Sequence, residues 1–210
     1  MNWGVWIWSH LSFALLLGQF WAQYARRSKL PPKGAMVGMV LIAAIGMFPY
    51  DDSDLAGWLL GFTDHLSIAT LMLLFAAILP AFEINIERRR FECTLAYLVW
   101  VIGGLWLYPA NLGIGEAGDP YLLGYSALMA WIVLALALSL WILRQRLIAM
   151  SMGLAVLAWK LHFLDSENLW DYLIDPWLAI FSGFWILRVL FARKPEAICE
   201  PGPGSAAQKD

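Results

Sequence analysis

Tyr121–Leu143 reads YLLGYSALMAWIVLALALSLWIL, 23 residues without one charge, and Arg144-Gln145-Arg146 follows at once. A helix needs about 20 apolar residues to cross a hydrocarbon core of about 30 Å, so this run is long enough to span a bilayer. The arginines behind it mark the cytoplasmic end, because basic loops stay inside.

Working outward, six more apolar stretches can be marked: Val5–Tyr24, Ala35–Phe48, His65–Phe82, Thr94–Tyr108, Ile148–Phe163 and Trp177–Phe191. The second, fourth and sixth of the seven are short and need loop residues at their ends. The charges between them alternate in sign. Arg26, Arg27, Lys29 and Lys33 come first, then Asp51, Asp52, Asp54 and Asp64. Arg88, Arg89 and Arg90 precede Glu116 and Asp119; Arg144 and Arg146 precede Asp165, Glu167, Asp171 and Asp175; Arg188, Arg193 and Lys194 end the series. The expected fold class is therefore all-α: a polytopic bundle of about seven transmembrane helices, N-terminus outside and C-terminus cytoplasmic. Residues 1–194 form the membrane domain, and 195–210, with its PGPGSAAQ, a disordered cytoplasmic tail. The expected location is a bacterial inner membrane.

Composition agrees with a bilayer as solvent. The chain of 210 residues is 61% hydrophobic and 14% charged, with mean hydropathy +0.65; soluble domains are about 45–50% apolar and about 25% charged. Cys93 and Cys199 both fall on the expected cytoplasmic side, where a disulfide is disfavoured. Basic residues form short juxtamembrane groups rather than a continuous patch, which excludes nucleic acid as a partner. Membrane lipid, or another membrane protein, is the expected partner.

Shorter signals refine this. Leu55–Phe62 is apolar but too short to span, and suits an interfacial turn. Trp3, Trp6, Trp8, Trp58, Trp106, Trp170 and Trp177 lie near the expected outer boundary, where indoles concentrate. Gly34 and Gly38 make a GxxxG, a motif of close helix packing. Asp119-Pro120 and Asp175-Pro176 suit helix starts, since Asp caps free N–H groups and Pro fits the first turn. His10-Leu-Ser-Phe-Ala is echoed by His65-Leu-Ser-Ile-Ala, and Asp119-Pro-Tyr-Leu by Asp175-Pro-Trp-Leu. A duplicated helical hairpin would produce these echoes, and so would bilayer thickness alone.

Candidate chemistry lies on the outer side. His10, His65 and His162 are all expected there, and imidazoles gathered from three helices could hold a divalent transition metal. Asp64 or Glu167 would assist catalysis, and Lys160, the one outside base, would hold an anionic group. The spacing fits no known metal motif such as HExxH or CxxC. Glu167, Asp171 and Asp175 recur every four residues, and Leu169, Trp170, Leu173 and Ile174 at helical spacing, as in an interfacial amphipathic helix. No charge lies near the middle of any span, which speaks against an ion-coupled transporter. Three functions follow as expectations: a metal-dependent enzyme acting on a lipid or lipid-linked substrate at the periplasmic face; a non-catalytic subunit or assembly factor of a larger complex; or a haem-binding electron carrier with His10 and His65 as axial ligands.

Overall fold

The computed structural model describes residues 3–50, 53–63, 65–84, 90–112 and 119–191. The expected tail, 195–210, lies outside them. The chain is predominantly helical, and a helix forms in every apolar stretch marked above: α1 (Trp3–Arg27), α2 (Pro32–Gly46), α4 (Ile68–Ile78), α5 (Arg90–Asn111), α6 (Ala127–Ile142), α7 (Arg146–Lys160) and α9 (Pro176–Phe191). Two short helices, α3 (Leu55–Thr63) and α8 (Leu169–Leu173), fall in the connections. A two-residue hairpin, β1 (Pro49–Tyr50) with β2 (Ser53–Asp54), precedes α3.

Among the described residues, α1 is the one helix long and apolar enough to cross a membrane. Helices α4, α6 and α7 are shorter than the apolar runs that suggested them, whereas α2, α5 and α9 exceed theirs. Several helix starts are set by prolines or capping side chains rather than by the edge of hydrophobic sequence. Pro31 and Pro32 start α2, which has 15 residues and so extends about 22 Å. Ser67 caps α4 by accepting from the Thr70 N–H. The long run 121–143 is split: Pro120–Tyr125 winds as a 3-10 helix, and Ser126 breaks the register and caps α6. Asp119 caps that 3-10 turn through the Tyr121 N–H.

Helix α1 packs against α2, α3 and α4; α4 packs on α7, α7 on α6 and α8, and α5 on α9. Small residues permit the closest approaches. The Trp21 indole lies on Gly38 and donates to the Ala35 carbonyl at 2.9 Å, so Gly38 serves an indole rather than a facing backbone. Gly34, its GxxxG partner, has Pro31 and Leu30 as its nearest neighbours. Gly104 faces Ala179 across α5 and α9.

The sequence echoes do not carry over into equivalent structures. His10 and Ser12 lie within α1, whereas His65 precedes α4 and Ser67 caps it. Ser126 caps α6, whereas Ser182 is buried inside α9.

Candidate functional site

Two sets of capping bonds build a polar cleft. The first is made by Asp175, a carboxylate only 3% exposed. Its Oδ1 accepts from the Leu178 N–H at 2.7 Å, which caps α9. Its Oδ2 accepts from the Ser67 N–H at 2.9 Å and from the Thr70 hydroxyl, at the start of α4. One buried anion thus satisfies the free donors of two helices, and the positive ends of both helix dipoles favour it.

The second joins segment 164–174 to the turn before α6. Asn168, fully buried, caps α8 through the Trp170 N–H and donates from Nδ2 to the Tyr121 carbonyl at 2.9 Å. The Trp170 indole donates to the Pro120 carbonyl at 2.9 Å. Tyr121 donates its hydroxyl to the Asp171 carboxylate, at 2.9 and 3.0 Å from its two oxygens, and Ser166 donates to the same carboxylate. Tyr172 sits behind, its hydroxyl accepting from the Leu164 N–H at 3.0 Å.

Between these braces lies a cleft of about 390 Å³. His65, Tyr108, Tyr121, Ser166, Asp171 and Asp175 give it polar walls; Leu107, Leu164, Ile174 and Pro176 give it apolar ones. Neither Lys nor Arg is among the described lining residues, so its charge is negative.

The expected site residues do not assemble as a set. His65 lines the cleft. His10 is on α1, where its Nδ1 lies 2.8 Å from the Trp6 carbonyl and its ring stacks on Trp6 with centroids 4.2 Å apart. Its Nε2 is 3.4 Å from Asp54 Oδ2. His162 is exposed and holds a left-handed φ of 50° where α7 ends, so its backbone ends the helix while its side chain faces outward. Lys160 and Glu167 are also exposed, and Glu167 takes part through its carbonyl, which accepts from the Trp159 indole at 2.8 Å. Asp64 lies outside the described residues. Among those residues, no three His, Cys, Asp or Glu side chains are grouped to hold a metal ion.

The expected stripe of Glu167, Asp171 and Asp175 divides for a local reason. Helix α8 covers only five residues, so Asp171 and Asp175 reach the cleft while Glu167 stays outside it. The buried Leu169, Trp170, Leu173 and Ile174 follow the helical spacing seen in the sequence. Tyr108, Tyr121 and Ser166 gave no sequence signal as site residues. Asn168 did offer one: an Asn just before an apolar helical run is a typical cap. Of the boundary tryptophans, Trp3, Trp58, Trp106 and Trp177 are exposed, but Trp8 and Trp170 are buried and donate to carbonyls.

No protein-family model matches this chain, and no curated protein or solved structure is significantly similar to it.

Proposed function

We propose that the chain is an integral membrane protein of the bacterial inner membrane. Its apolar helices cross the bilayer with the carboxylate-rich end outside, and the cleft there receives the polar head of a lipid or lipid-linked substrate. The membrane part rests on what the helices expose. Helix α6 has one polar residue, Ser139, whose hydroxyl donates to the Ala135 carbonyl, and Leu128, Trp131, Ile132, Leu138, Trp141 and Ile142 are exposed on it. Water would not tolerate such a face; lipid tails would. The short helices gain length from the turns at their ends, such as Pro120–Tyr125 before α6 and Leu79–Phe82 after α4.

The cleft itself carries the functional part. Two carboxylates, two phenols and an imidazole, with no Lys or Arg among the described lining residues, match a headgroup bearing an amine, by charge and by the affinity of ammonium groups for aromatic faces. An imidazole beside carboxylates and a hydroxyl also suits proton transfer to or from such a headgroup, with His65 as the carrier.

The test is retention of lipid by the purified protein in nanodiscs of mixed composition, read by native mass spectrometry. The expected result is selective retention of phosphatidylethanolamine over phosphatidylglycerol, lost in Asp171→Asn and weakened in Tyr121→Phe. Equal retention of both lipids, indifferent to Asp171, would reject the cleft. The same exposed faces of α2 and α6 also suit a partner membrane protein. Indifferent lipid binding together with one stoichiometric co-purifying protein would favour the subunit reading.

A further inference from the structure

His10 and Asp54 meet in a way that hydrogen bonding between them does not explain. The Trp6 carbonyl can only accept, so the 2.8 Å contact requires that His10 Nδ1 carry the proton. Nε2 of the neutral ring then presents a lone pair. That atom is buried, has no hydrogen-bond partner, and faces the Asp54 carboxylate at 3.4 Å. The other Asp54 oxygen is committed: it accepts from the Gly57 N–H at 2.7 Å and caps α3. Both groups are therefore held in place, the imidazole by α1 and the carboxylate by α3, with two acceptors facing one another. Such a pair is stable when a cation lies between them.

We propose that His10 Nε2 and Asp54 Oδ2 are two ligands of a divalent transition-metal site, with water completing the coordination. Two ligands each about 2.1 Å from a tetrahedral zinc lie about 3.4 Å apart, which is the observed separation. An imidazole whose other nitrogen donates to a backbone carbonyl is the usual arrangement in metal sites, because that bond fixes the tautomer and aims the ring. A nitrogen and a carboxylate oxygen suit zinc or cobalt, and disfavour the soft ions that prefer thiolates. Both side chains keep some exposure, 14% and 21%, so an ion can enter from solvent. This site is independent of the cleft around His65, and its failure would leave the lipid reading untouched.

The experiment is a Co(II) titration of the full chain, purified in detergent and stripped with chelator, followed by visible absorption. One equivalent with tetrahedral bands is expected. His10→Gln and Asp54→Asn should each weaken binding by at least about tenfold, while His65→Gln and His162→Gly should bind as the parent does. Asp54→Asn is chosen because Asn caps a helix as well as Asp, so α3 stays formed and lost binding reports the ligand. A parent that takes up no Co(II), or variants that bind it unchanged, would overturn the site. A second readout is nitrogen NMR of the His10 ring with saturating Zn(II): Nε2 should be unprotonated across neutral pH. An Nε2 proton that persists there would assign the gap to an imidazolium–carboxylate pair and overturn the metal.

Discussion

At the scale of single residues, Asp175 has the largest expected effect on stability. Asp175→Ala would leave the Ser67 N–H, the Thr70 hydroxyl and the Leu178 N–H without their acceptor at a buried position. A destabilisation of about 2–4 kcal/mol is expected, read as a lowered denaturation midpoint in detergent. Gly124 is nearly as constrained. A Cβ there would lie 1.8 Å from Asn168 Oδ1, and Asn168 is pinned by its own bonds. Gly124→Ala should therefore cost about 1–3 kcal/mol. His162 points the opposite way. As a non-glycine residue at positive φ it is strained, so His162→Gly should raise stability by up to about 1 kcal/mol. Loss of stability in that variant would mean that the imidazole has a partner. Residue type alone reads His162 as a ligand; the structure adds that its backbone terminates α7.

At the scale of elements, the brace between segment 164–174 and the turn before α6 rests on the Tyr121 hydroxyl, which donates to the Asp171 carboxylate. Tyr121→Phe removes that charge-assisted bond and should cost about 1.5–3 kcal/mol, read as a lowered thermal midpoint in detergent; an unchanged midpoint would mean that the brace does not hold the two segments together. The short capped elements are also where sequence reading stopped. Hydrophobic length located the seven longer helices, because apolar runs are a local property of composition, but it read the stretch that forms α3 as a turn. It did not foresee the break at Ser126 or the brevity of α8, because a cap acts by a bond whose partner is often remote in sequence. Asp175 reaches Ser67 across 108 positions.

At the scale of the whole molecule, the proposed orientation predicts which side each connection faces. With Cys93 and Cys199 replaced by Ser, a cysteine at exposed Glu167 should react with an impermeant maleimide in intact cells. One at exposed Arg144 should react only after lysis. Equal labelling of both would reject the multi-span arrangement. The helical class and the segments that become helices are determined by sequence alone, because hydrophobicity acts through local composition. The membership of the site is not. His65, Tyr108, Tyr121, Ser166, Asp171 and Asp175 come from four separate stretches of chain, and only tertiary packing sets them around one cleft. The same holds for His10, which sequence groups with two other histidines and the fold pairs with Asp54. Residue type states what a side chain can bind; the position of its neighbours, set by capping and close helix packing, decides what it meets.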